Sequence, residues 1–100
     1  MSVYLIIKSE TSLVDKKQFD DWYSHEHLKE AKKDFGAISA KRGWIANSDL
    51  HVAIYEFQSI KIAQKILKSK KLKLLIQKFD NKWNSKVNRT REIVDIIQEY

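Results

Sequence analysis

The segment Trp22-Tyr23-Ser24-His25-Glu26-His27 sets two histidines two residues apart, beside a tyrosine and several carboxylates. An imidazole titrates near neutral pH and can pass a proton in either direction, so this segment has the side chains for general acid–base chemistry. Geometry separates the two histidines. No Pro or Gly interrupts the stretch from Phe19 to Phe35, so it is expected to run as one uninterrupted helix. On a helix, residues four apart share a row, and one row reads Phe19, Tyr23, His27, Ala31, Phe35. The other members are apolar or aromatic, so the row faces inward and carries His27 with it. His25 sits about 200° away at the helical pitch and points at water. Tyr23 and Glu30, about one turn before and after His27, are within reach to orient it. Two readings stand for His27: a general acid/base, or a core histidine bonded to a backbone carbonyl.

Other side chains could complete such a site. Arg42 lies among apolar residues and could clamp a carboxylate or polarise a phenolate; the competing reading, and the favoured one, is an ion pair with Glu26, Glu30 or Glu56. Tyr55 could donate to a bound oxyanion, or be a core phenol with its hydroxyl satisfied. Trp22 and Trp44 could line an aromatic ligand's pocket, or simply pack the core. Glu26 and Glu30 count as further ligand-side candidates. His51, opening a strand next to a turn, carries little weight. No metal is expected: His25 and His27 diverge, and His-Glu-His lacks the four-residue spacing of a zinc-protease helix. The two glycines of the chain make no phosphate loop, and no nucleophilic serine motif is present.

The elements that would position these groups follow from periodicity. Val3 to Lys8 reads as a strand apolar on both faces. Ser12 and Asp15 fit an N-terminal capping box, the helix runs from about Leu13 to Asp34, and Gly36 ends it. Ala37 to Ala46 is a second strand, with Ala40, Arg42 and Trp44 on one face. Asn47-Ser48-Asp49 is a hairpin turn. Leu50 to Phe57 is a third strand, with Leu50, Val52, Ile54 and Glu56 on one face and His51, Ala53, Tyr55 and Phe57 on the other. Ser59 caps a second helix, and the apolar spacing resumes after Ser69 in a further helical segment. Arg91 to Tyr100 fits either period, and its β-branched content favours a strand. The order strand, helix, strand, strand, helix, strand is the ferredoxin-like split βαβ arrangement, βαββαβ: an α+β fold with a four-stranded antiparallel sheet and its helices on one face. The other sheet face is also apolar, and a second copy would cover it in a symmetric homodimer.

Composition limits the rest. One hundred residues make a single domain, residues 1–100. Without cysteine there is no disulfide framework and no thiolate site, which is compatible with the cytoplasm, the expected location. The start of the chain has too short an apolar run for a signal peptide and lacks a basic lead, and no membrane association is expected. The formal net charge is +6, concentrated between Lys61 and Lys86, where nine lysines meet one acid, Asp80. A polyanion partner would use such a surface. A solvated lysine-rich face is the favoured reading, because the lysines fall between the apolar positions.

Trp22-Tyr23-Ser24-His25-Glu26-His27-Leu28-Lys29-Glu30 resembles the Trp-Tyr-x-x-Glu-His-Leu/Ile-Pro-Glu segment of EthD-like proteins, in the dimeric α+β barrel superfamily. Phe35-Gly36 with Ser39-Ala40-Lys41-Arg42 resembles that family's entry to strand two, and Ala53-Ile54-Tyr55-Glu56-Phe57-Gln58-Ser59 its strand three. Trp83 falls where many members carry a tryptophan. Lys29 departs from the family's proline, so the kink that the family's helix carries there is not expected here. The resemblance implies the dimeric barrel fold, and the family includes ring-cyclising and ring-isomerising enzymes.

Two functions of different class follow. One is a small cofactor-free lyase, isomerase or cyclase. It would act on a compact carbonyl, aromatic or polyketide-like molecule, with His27 moving a proton and Tyr23, Arg42 or Tyr55 stabilising the enolate. The other is a module that binds a small ligand or a polyanion without turnover. Nucleic acid is the weaker partner, since strand three lacks the basic-Gly-aromatic-Gly pattern of RNA-recognition domains and a dimer would close the sheet they use.

Overall fold

The computed structural model describes residues 2–100. Four strands form one antiparallel sheet: β1 (Val3–Glu10), β2 (Ser39–Trp44), β3 (Leu50–Phe57) and β4 (Asn88–Asp95), in the spatial order β2-β3-β1-β4. The helices are α1 (Lys16–Trp22), α2 (Leu28–Phe35), α3 (Ile60–Leu67) and α4 (Lys70–Lys82). This is the expected ferredoxin-like α+β arrangement.

Strict alternation decides which side chains meet the helices. On β1, Val3, Leu5, Ile7 and Ser9 are buried, and on β3, His51, Ala53, Tyr55 and Phe57 are buried. The residues between them, Tyr4, Ile6, Val52 and Ile54, stay half-exposed on the outer face. Register then fixes the rows across the helix-facing side. Trp44 pairs with His51, His51 with Ser9, and Ser9 with Arg89; in the next row Arg42 pairs with Ala53, Ala53 with Ile7, and Ile7 with Arg91. Polar and cationic residues therefore collect toward one end of the inner face. Beside them lies the row of Ala40, Tyr55, Leu5 and Ile93.

The long helix differs from expectation in its start and in its middle. Asp15, not Ser12, is the N-cap; its carboxylate accepts from the Gln18 amide at 2.9 Å. Thr11 is instead buried and tied to the hairpin, donating its hydroxyl to the Asp49 carbonyl at 2.6 Å. The helix is also not uninterrupted. Residues Tyr23–His27 form a π-helical turn between α1 and α2, without Gly or Pro. In an α-helix, residues five apart lie about 140° apart. The wider turn brings Trp22 and His27 onto one side, and their rings stack at 4.4 Å and 17°. Single π turns are frequent at functional sites. The inward row survives it, since Phe19, Tyr23, His27, Ala31 and Phe35 are all buried. Gly36 then closes α2 at φ +64°, a left-handed conformation that suits a residue without Cβ.

Ser59 and Ser69 cap α3 and α4 through their hydroxyls, which explains why the lysine-rich region divides into two helices. The last strand begins at Asn88 and stops at Asp95, earlier at both ends than its apolar residues suggest. Strand two is likewise shorter than its apolar span, ending at Trp44. No described helix is long and apolar enough to cross a membrane.

Candidate active site

His27 and Tyr23 project from the π turn toward the inner face of the sheet. Tyr23 lies 4.9 Å from His27, ring to ring, and 4.3 Å from His51. Trp22 and Phe79 pack on His27 from other sides. His27 is 5% exposed, and its Nδ1 is buried without a hydrogen-bond partner. That nitrogen does not make the backbone-carbonyl bond that a core histidine could use. Burial, with Arg89 and Lys78 nearby, drives the His27 pKa down to about 3. The ring is therefore neutral at physiological pH. His25 is exposed as expected and donates from Nδ1 to the Asp21 carbonyl at 2.7 Å.

Arg42 reaches this centre from β2, but its partner is none of the three glutamates expected. Its Nη1 donates to Asp20 Oδ1 at 2.8 Å and approaches His51 Nε2 at 3.4 Å. Trp44 Nε1 donates to the same Asp20 oxygen at 3.0 Å. These two bonds hold the Asp20 carboxyl below the usual carboxylate range. Asp20 thus fixes the Arg42 side chain, whose guanidinium lies 5.9 Å from the Tyr23 ring centroid.

Burial lifts the Tyr23 phenol to about 12, against the opposing influence of Tyr55 and of Arg89, Arg42 and Arg91. Tyr55 is also raised well above its ordinary value, again first by burial. The two hydroxyls are neighbours, yet Tyr55 Oη falls outside regular hydrogen-bond geometry. Both phenols stay protonated at neutral pH and can donate.

Glu26 and Glu30 are not brought to this centre. Both turn outward to Lys78 on α4, at 3.5 Å and 2.8 Å. Among the lysines from Lys61 to Lys86, Lys78 is thereby the exception, clasping α4 to the first helix. Lys78→Glu should melt lower than the parent, because it sets a third acid against two. Lys68→Glu and Lys71→Glu should leave the melting temperature unchanged. Equal melting curves for all three variants would show that the clasp contributes nothing.

His51 joins this buried group although its place beside a turn gave it little weight in the sequence. It is fully buried, packs against Phe19, Trp44 and Tyr23, and its Nδ1 has no partner. Burial and Arg42 depress its pKa to about 4. The alternation that places Tyr55 inside places His51 inside as well. Arg89, Arg91 and Asp20 were not foreseen. Among the described residues, no three histidine or acidic side chains converge as metal ligands would.

No family model and no curated protein matches the sequence. Solved structures do match. An EthD (ethyl tert-butyl ether D) family protein from Bacillus halodurans superposes with a TM-score of 0.75 at 22% identity, over 97% of this chain and 100% of the other. SnoaB, a cofactor-independent oxygenase from Streptomyces nogalater, gives 0.71 at 9% identity, over 98% of this chain and 95% of the other. A dimeric ferredoxin-like protein from an uncultured marine organism gives 0.60 at 11% identity, over 100% of this chain and 98% of the other. From end to end, the chain is EthD-like in fold, a ferredoxin-like α+β domain.

Proposed function

We propose that the protein is a small enzyme that works without a cofactor, moving a proton α to the carbonyl of a compact, aromatic or polyketide-like molecule in a lyase, isomerase or cyclase reaction. His27 is the acid/base, and Tyr23 and Arg42 stabilise the enolate, with Tyr55 beside them. The observation that carries this reading is the pair of buried imidazole nitrogens without partners, His27 Nδ1 and His51 Nδ1, on two rings that both pack against Tyr23. Buried polar atoms are nearly always paired, so two unpaired ones beside one phenol favour a polar ligand as the missing partner. A neutral imidazole of low pKa is fully in its base form but is a weak base. It therefore depends on strong stabilisation of the enolate by protonated phenols and a fixed guanidinium. The test is a screen of compact cyclic and aromatic carbonyl compounds for turnover without added cofactor. A purified parent that turns over none of them would sink the reading.

The enzyme acts as a homodimer joined through the outer sheet face. Tyr4, Ile6, Ile54, Val94 and Ile96 line an apolar cleft of about 240 Å³ there, and a protein of this fold is dimeric. Ile54 sits mid-sheet between Ile6 and Lys41. Sedimentation should give a dimer at micromolar concentration and a monomer for Ile54→Asp, which would bury a carboxylate in the interface. A monomeric parent would remove the dimer from this reading.

A further inference from the structure

β4 carries two arginines on its helix-facing side, Arg89 and Arg91. Arg89 is fully accounted for. Its guanidinium lies 3.7 Å from the Phe79 ring centroid and donates to Asp80 Oδ1 at 2.8 Å. Arg91 is not. Among the described residues no carboxylate comes within ion-pair distance of it, and its Nε is buried without a hydrogen-bond partner. Asp80 and the Tyr23 hydroxyl act on it only at longer range. An unpaired guanidinium with a buried donor is costly to keep.

Arg91 opens onto a cleft of about 270 Å³ between α4 and β4, walled by Ile76 and Val87, with Ser85, Asn88 and the Arg89–Asp80 pair around it. Two arginines against one aspartate leave this cleft with one positive charge. A guanidinium presents paired donors that match a carboxylate in a fork. The cleft is mostly polar, with Ile76 and Val87 giving an organic body a small apolar contact, and Asp80 opposes a doubly charged anion such as phosphate. The geometry points to a binding site for a small organic carboxylate in this cleft, with the carboxylate forked on Arg91 and the carbon skeleton against Ile76 and Val87. It goes beyond the proposed function, because none of the residues assigned to the reaction lines this cleft.

The experiment is a melting series of the full chain with benzoate, its neutral counterpart benzamide, and inorganic phosphate, at matched ionic strength. Benzoate should raise the melting temperature saturably, while benzamide and phosphate should not. Arg91→Met should melt at or above the parent, since it removes an unpaired cation, and should weaken benzoate binding by at least roughly tenfold. Arg91→Lys keeps the charge but loses the fork, and should also weaken binding; it decides the matter should Arg91→Met fail to fold. The inference is overturned if benzoate gives no shift at tens of millimolar. It is equally overturned if benzamide or phosphate shifts the curve as much, or if benzoate binds the Arg91 variants as it binds the parent. Because the readout is binding, a parent that binds benzoate yet turns over no carbonyl compound would retain this site and lose only the proposed reaction.

Discussion

Between pH 7 and pH 5 the protein should lose about 4 kcal/mol of stability, in roughly equal parts through His27 and His51. The sign follows from linkage. Both folded pKa values are depressed, to about 3 and about 4, from an ordinary value of 6.5. Well above pH 6.5 both rings are neutral whether the chain is folded or not, so the folded state carries no penalty. As pH falls below 6.5 the unfolded chain takes up protons that the folded chain refuses, at a cost approaching about 1.4 kcal/mol per pH unit for each histidine. The loss levels off only when the folded-state values are reached. For a domain with a typical stability of roughly 5–15 kcal/mol this is a large fraction. Denaturant titrations at the two pH values measure it, in a window where exposed carboxylates remain mostly ionised. His27→Asn should roughly halve the difference between the two pH values, and His25→Asn should leave it unchanged. A parent whose stability is the same at both pH values would show that neither ring is held neutral by burial.

The inner half of this site was legible because it depends on local period. The row Phe19, Tyr23, His27, Ala31, Phe35 needs only the spacing of four, and that spacing survives the π turn. Tyr55 and Arg42 follow from alternation along β3 and β2. His51 obeys the same alternation and was underweighted only because it stands next to a turn; its burial is set by Phe19, Trp44 and Tyr23 arriving from other elements. Arg89 and Arg91 needed the true start of β4 at Asn88, which apolar content alone does not mark. The Asp20–Arg42–Trp44 contact joins a helix to a strand 22 residues away, and no local pattern encodes it. The π turn has no Gly or Pro to announce it. It is favoured by the stacking of Trp22 on His27, which only the folded core supplies. Glu26 and Glu30 mark the opposite error. They lie close in sequence to His27, but on the helix face that meets Lys78.

His27→Asn should abolish most turnover, lowering kcat by roughly a hundredfold to ten-thousandfold with the fold retained, while His25→Asn should change neither. The two histidines share one tripeptide, so composition and local sequence barely distinguish them. Their surroundings do. His27 is 5% exposed with an open Nδ1 beside Tyr23, whereas His25 is exposed and its Nδ1 is occupied by the Asp21 carbonyl. Asparagine keeps a planar polar group in the space but cannot accept a proton at neutral pH. The pH profile separates the catalytic role from a packing role. With a folded pKa near 3, His27 is fully in its base form throughout the neutral range, so kcat/KM should stay flat from pH 8 to pH 6. A variant that merely loosens the core would melt lower and keep its rate per folded molecule. Full activity in His27→Asn would make His27 a core histidine. Loss of turnover in His25→Asn but not in His27→Asn would assign the proton transfer to the exposed ring instead.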